Sequence, residues 1–325
     1  MLLSKSNTQS KPLVVIDYTD NRLTYLGRWL NGAYGKTSGW SSSSVQFRVK
    51  NTSTVKVKAY INRTQINGGG ALGYHINGDP NQTAGIAFET NTAAFAGYRT
   101  ASIPVVNNGS WQDMIIHIYG VPADQFNQVT ELFLDSIILD AGGELDVLTQ
   151  GAKKIQFIGD SWMATSNDWP RLIDSSLYSC IQIAGSGYTL DTANTRYPFD
   201  YNGSTNTTDE SVDAIVISFG VNDYIGAVTV GNFQTQLLSL IDKVQIKQPS
   251  KPIFLVRVPN NGANLYGQYL TAMNNAAGLR SNIIVIDTTS IDASVDRVDS
   301  GHLGANGKLV YLAPLVKTTL IANGI

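Results

Sequence analysis

The residues of this chain that could do chemistry are few, and each follows an apolar run. Ser161 comes directly after Gly159-Asp160 in "IQFIGDSW". A serine hydroxyl is a poor nucleophile until a neighbouring base takes its proton. His302 is the only histidine after Ser161, since His75 and His117 lie far upstream. Asp299 precedes His302 by three residues in "DSGH". In a tight turn that spacing lets a carboxylate accept the imidazole Nδ1–H, which fixes the tautomer and supports the imidazolium. Asn222, in "GVND", brings a side-chain amide. Together with the backbone N–H groups of Ser161 and of a turn glycine, it could hold the oxyanion of a tetrahedral intermediate. The chemistry implied is acyl transfer through serine. Asp160 is expected to order the turn and not to react, and Asn222-Asp223 also has the form of a helix cap.

Two kinds of element must position these groups. From about residue 150, near-continuous apolar runs appear at "KKIQFIG", "CIQIAG", "DAIVISFG", "KPIFLVRVP" and "NIIVIDT". Such β-branched runs suit strands buried on both faces of a parallel sheet. Helical patterns lie between them. "VGNFQTQLLSLIDKVQIKQ" carries Phe233, Leu237, Leu240, Ile241 and Val244 at helical spacing, and "LYGQYLTAMNNAAGL" and "NGKLVYLAPLVKTTLIAN" read likewise. The alternation predicts a doubly wound α/β domain with a mainly parallel five-stranded sheet. Ligands bind such sheets beyond the carboxyl ends of the strands. Ser161, "GSGYT" (residues 185–189), Asn222 and the 299–302 segment all fall at that edge.

Before residue 147 the rhythm is different. Val45, Phe47 and Val49 alternate in "SVQFRVK", as do Val55, Val57 and Ala59 in "TVKVKAYI" and Met114, Ile116 and Ile118 in "DMIIHIYG". Period-two runs bounded by "NGGG", "NGDP" and "NNGS" predict short antiparallel strands of an all-β sandwich or jelly roll. The expected domains are residues 1–146 and 147–325, divided at the glycine-containing exit of "ELFLDSIILDAGGELD".

Composition removes several function classes. The chain has 325 residues and a net charge of −2, with no Lys/Arg run. A nucleic-acid partner normally needs a basic stripe, so none is expected. No apolar stretch approaches the roughly 18 residues of a membrane helix, so no membrane partner is expected. "MLLSKSNTQSKPL" shows no signal-peptide h-region, which leaves the compartment open and is compatible with an extracellular or virion-borne protein. Cys180, the one cysteine, excludes an intrachain disulfide and a multi-cysteine metal site, and reads as core packing.

The blocks "IGDS", "GSGYT", "GVND" and "DSGH" resemble, in order, the four sequence blocks of the SGNH (GDSL-type) hydrolase superfamily. The resemblance covers residues 150–325 and implies a role for each matching residue. Ser161 matches the nucleophile, Gly187 the oxyanion glycine (with Gly185 as the alternative), Asn222 the oxyanion asparagine, and Asp299 and His302 the remaining triad. The chain departs from the family at Leu303, where many members have proline, and lacks the asparagine common before the second block. A β-sandwich ahead of such a domain looks like the two-domain carbohydrate esterases of family two, with "LGRW" (26–29) and "LDSIILDAGG" (134–143) similar to segments of their N-terminal domain. The resemblance implies a serine esterase that removes O-acetyl groups from a polysaccharide, with no metal or organic cofactor. Trp162, Trp169, Tyr188 and Tyr224 lie beside the motifs, where an aromatic residue packs in core or rim or offers its face to a sugar ring. Two other readings stand beside this one. One is a lipid ester or thioester hydrolase, which would need an apolar acyl groove. The other is a carbohydrate-binding or virion structural protein with a silent catalytic domain.

Overall fold

The computed structural model describes residues 12–38, 43–63, 71–78, 86–87, 95–119, 130–149, 151–163, 169–173, 176–185, 187–197, 211–261, 264–292, 297, 302–304 and 306–325. Asp299 lies outside the described residues.

The amino-terminal part contains β1 (Val14–Asp17), β2 (Thr24–Leu26), β3 (Leu30–Gly32), β4 (Gly35–Thr37), β5 (Ser44–Lys50), β6 (Thr54–Arg63), β7 (Ala71–Ile76), β8 (Ile86–Ala87), β9 (Phe95–Pro104), β10 (Gln112–Tyr119), β11 (Thr130–Leu139) and β12 (Glu144–Asp146). They form two antiparallel sheets. One has the order β3-β4-β11-β6-β9 with β1 also on β11, and the other β12-β5-β10-β7-β8 with β2 also on β5. The alternation read from the sequence decides which faces meet. Val55, Val57 and Ala59 of β6 pack with Val45, Phe47 and Val49 of β5 and Met114 and Ile116 of β10 in one core. The side chain of Ile118 lies outside the described residues.

The carboxyl-terminal part is a five-stranded parallel sheet of β13 (Lys153–Gly159), β14 (Tyr178–Ala184), β15 (Ala214–Ser218), β16 (Ile253–Val256) and β17 (Ile283–Ile286). Its order is β14-β13-β15-β16-β17. All four pairings are parallel. Both faces are covered, which is why the runs are apolar without alternation. Ile158, Ile183, Ile215, Ile217 and Leu255 face a layer that includes Phe233, Leu237, Leu240 and Ile241 of α3 (Val230–Lys247) and Ala272 and Met273 of α4 (Leu270–Leu279). Phe157, Cys180, Val216 and Phe254 face the other way, against Val316 and Leu320 of α5 (Ala313–Ala322). Among the described residues, α1 (Leu190–Arg196) and α2 (Val221–Ile225) are shorter α-helices.

Two predicted helices are compound. The 265–279 pattern opens with a 3₁₀ turn over Tyr266–Tyr269 before α4. The 306–323 pattern opens with a π-helical stretch over Gly307–Leu312 before α5. Pro314 gives the physical reason for the second. It has no N–H and its ring crowds the carbonyl four residues back, so a wider turn before it relieves both. No helix among the described residues is long and apolar enough to cross a membrane.

The two parts touch through the "LGRW" segment. Leu26 joins the core on the α3 side of the parallel sheet. Arg28 is buried, donates from Nη1 to the Tyr197 carbonyl at 2.6 Å and lies 4.7 Å from the Tyr197 ring centroid.

Candidate active site

The order of the parallel sheet sets where a site can form. The connection from β13 runs out to β14 and that from β15 runs the other way to β16, so the two diverge between these neighbouring strands and open a crevice at their carboxyl ends. Ser161, Gly187 and Asn222 follow β13, β14 and β15 respectively.

Asp160 shapes the turn that presents Ser161. Its Oδ1 accepts the Trp162 N–H at 2.9 Å and its carbonyl accepts the Met163 N–H at 3.0 Å. Ser161 is left at the edge of the crevice with its Oγ 2.9 Å from His302 Nε2. The two residues are 141 positions apart in the chain. For the imidazole to accept the serine proton, Nε2 must be the bare nitrogen and Nδ1 must carry hydrogen.

The loops after β14 and β15 are stapled to each other. Asn222 Nδ2 donates to the Tyr188 carbonyl at 3.0 Å, and the Leu190 N–H donates to Asp223 Oδ1 at 3.0 Å. Asn222 Nδ2 also stands 3.4 Å from Asp160 Oδ2, at the outer limit of a hydrogen bond. The two glycines of "GSGYT" are separated by their backbones. The Gly185 N–H is already spent on the Gly159 carbonyl at 3.1 Å. Gly187 has φ +78°, the left-handed region that suits glycine, and is exposed. Among the described residues nothing accepts its N–H.

The aromatic residues divide by burial. Trp162 is 1% exposed and Tyr188 is 5% exposed, so neither presents a ring face on which a sugar could stack. Trp162 instead carries the guanidinium of Arg297, 5.3 Å from its ring centroid. Trp169 is fully buried against Phe157. Tyr224 is half-buried, edge-on to Tyr266, and keeps part of its surface open. Asn194 of α1 is turned inward, with its amide donating to the Leu190 and Gln236 carbonyls. Among the described residues no group of three or more His, Cys, Asp or Glu side chains is gathered as for a metal ion.

Two carboxyls sit buried behind the crevice. Burial pushes Asp160 up to about 7, against the Trp162 N–H bond, with the Asp223 charge adding to the rise. Burial pushes Asp223 up to about 6, against the Leu190 N–H bond. Asp223 Oδ2 is buried with no hydrogen-bond partner among the described residues. The folded protein therefore holds these protons at pH values where the unfolded chain, near 3.8, has lost them. Stability from these groups is present at low pH and is lost as pH rises through about 6 to 7. Asp223→Asn keeps an oxygen for the Leu190 N–H and removes the charge. Its thermal midpoint relative to wild type is expected to climb between about pH 4 and pH 7, by an amount equivalent to roughly 3 kcal/mol at most. A difference that stays flat with pH in parallel melts would contradict this.

The fold, a parallel α/β domain with an amino-terminal β domain, has the layout of solved family-two carbohydrate esterases. Three solved structures carry the likeness. One is a family two carbohydrate esterase from Clostridium thermocellum in complex with cellohexaose, 18% identical, with 93% of this chain and 98% of that one covered at a TM-score of 0.70. Another is an acetyl xylan esterase from the rumen bacterium Butyrivibrio proteoclasticus, 11% identical over 96% and 98% of the chains, at 0.70. A GDSL-like lipase from Bacteroides ovatus is 14% identical over 96% and 98%, at 0.57. At such identities the likeness is one of fold. No family model matches the sequence, and no curated protein matches it.

Sequence reasoning passed over Arg297, whose position two residues before Asp299 in "RVDSGHL" was the available signal. It also gave Asp223 no part in joining the two loops.

Proposed function

We propose that this protein is a serine esterase that removes O-acetyl groups from a polysaccharide through an acyl-enzyme. The observation that carries the reading is the 2.9 Å contact between Ser161 Oγ and His302 Nε2 at the carboxyl edge of a parallel sheet. In this reading Ser161 attacks the acetyl carbonyl while His302 takes its proton. Asp299, matched to the family's triad carboxylate, orients His302. The oxyanion is held by the backbone N–H groups of Ser161 and Gly187 and by the Asn222 amide, whose long contact to Asp160 is readily given up. One such donor contributes about 2.7–4 kcal/mol to the transition state. His302 then gives that proton to the departing sugar oxygen, which leaves as a hydroxyl, and water, activated by the same imidazole, releases acetate.

The choice of a glycan substrate is supported by the structural neighbours, one solved with cellohexaose and one named for acetyl xylan. Residues 1–146 would form a jelly-roll-like accessory domain and residues 147–325 the catalytic domain. Of the aromatic residues at the motifs, we assign the sugar contact to Tyr224, which keeps part of its surface open. Asp191 is exposed on α1 and adds a polar rim.

Esters of increasing acyl length test the substrate class. Each methylene buried in a matching groove gains about 0.8 kcal/mol, and a site without a groove gains nothing. The specificity constant is expected to fall from acetyl through butyryl to octanoyl esters, and acetate should be released from acetylated glycans. A rise along the series would replace this reading with the lipase-like one. An inactive, glycan-binding protein would replace it with the silent-domain reading.

A further inference from the structure

Arg297 occupies an unusual position. Its backbone pairs with Leu303 in an isolated antiparallel bridge. His302 is the residue before Leu303 in that bridge. Leu303 is buried in the core that also holds Trp162 and Tyr266. The Arg297 side chain reaches a different part of the sheet edge. Its Nη2 donates to the Pro259 carbonyl at 2.7 Å and to the Asn260 carbonyl at 3.1 Å. Its guanidinium lies 5.3 Å from the Trp162 ring centroid and 5.8 Å from that of Tyr266, within the range of cation–π attraction. Trp162 is the residue after Ser161.

The two carbonyls are themselves held. Arg257, buried at the end of β16, makes a two-pronged ion pair with Asp292 at 2.7 and 2.9 Å. Asp292 also accepts the backbone N–H of Asn260 at 2.9 Å and its side-chain amide at 3.1 Å. Asn260 Oδ1 accepts the Gly267 N–H at 2.7 Å. A Cβ on Gly267 would collide with the Arg257 guanidinium, which the Asp292 ion pair holds in place. Burial pushes the Asp292 carboxyl up, but the Arg257 hydrogen bonds, the Asn260 N–H and the charges of Arg257 and Arg297 outweigh it and hold the carboxyl below its usual value. The Pro259 and Asn260 carbonyls are therefore fixed acceptors, ready for a cation.

We infer that Arg297 is a positioning residue that latches the His302 loop to the nucleophile turn. One cation joins three parts: the loop with the base, the rigid corner after β16, and the indole next to Ser161. The inference rests on Ser161 and His302 being the reacting pair. Loss of the latch leaves Leu303 anchored and lets the imidazole drift relative to Ser161 Oγ. A misplacement of about 1 Å at such a contact costs up to about 100-fold in rate.

Two variants test it on a small acetyl ester, with turnover measured per mole of folded protein. Arg297→Met keeps bulk over Trp162 and loses the carbonyl donors. Its kcat is expected to fall about 10–100-fold with KM within about threefold of wild type. Arg297→Lys keeps a donor and is expected to recover to about two- to fivefold below wild type. A residue that only stabilises the fold would lower the melting temperature and leave kcat of the folded fraction unchanged. Wild-type kcat in folded Arg297→Met, or an Arg297→Lys protein no better than Arg297→Met, overturns the inference and leaves the esterase reading intact. If Arg297→Met does not fold, Arg297→Lys decides alone, and a kcat equal to wild type overturns the inference. A wild-type protein that hydrolyses no ester overturns the esterase reading and the inference together.

Discussion

Ser161→Ala is expected to lower kcat/KM on acetyl esters by about 10⁴–10⁶-fold while the protein stays folded. The loss is large because the hydroxyl is the atom that forms the covalent intermediate, and it stands 2.9 Å from the His302 imidazole. The structural cost is small because Ser161 Oγ makes one described hydrogen bond, to His302, and a single such bond is worth about 1 kcal/mol net. The turn itself is held by Asp160, through the N–H groups of Trp162 and Met163, and not by the serine side chain. Circular dichroism and a melting temperature within a few degrees of wild type would accompany the loss. Near-wild-type turnover by a folded Ser161→Ala protein would end the serine mechanism.

His302→Ala is expected to be as damaging as Ser161→Ala, and the double variant no worse than either. Nucleophile and base act as one unit, so removing the second partner after the first costs little more. Without the imidazole the serine proton has no acceptor, and the departing sugar hydroxyl has no donor. The backbone should hold, because Leu303 keeps its place in the core and its bridge to Arg297. Labelling of Ser161 by a small organophosphonate separates this from unfolding. Folded His302→Ala should be labelled far more slowly than wild type. Additive losses in the double variant, or undiminished labelling, would mean that His302 is not the base.

Much of this molecule is written in local periodicity. The five apolar runs after residue 150 could be placed because a strand buried on both faces needs an unbroken apolar run, and each run overlaps one strand of the parallel sheet, β14 beginning two residues before its run at Tyr178. Val45, Phe47 and Val49, and Val55, Val57 and Ala59, alternate because one face of each sheet is core. Ser161 and Asn222 could be singled out because they follow such runs directly, and His302 because no other histidine comes after the serine.

Other features depended on which elements became neighbours. Gly185 and Gly187 look equivalent in "GSGYT", but β14 lies beside β13, so the Gly159 carbonyl takes the Gly185 N–H and leaves that of Gly187 open. Trp162 and Tyr188 sit beside the motifs in sequence and are buried in space, because each joins a core cluster flanking the parallel sheet. Asn194 is polar, yet the turn of α1 points it at α3. The Arg297 guanidinium could not be foreseen over Trp162, since their encounter requires the last loop to return to the turn after β13. Local sequence carries the period of each strand and helix, because that is set by the backbone and by which face is buried. The partner of a side chain many residues away is set by strand order and loop packing, and in this protein those alone bring His302 to Ser161.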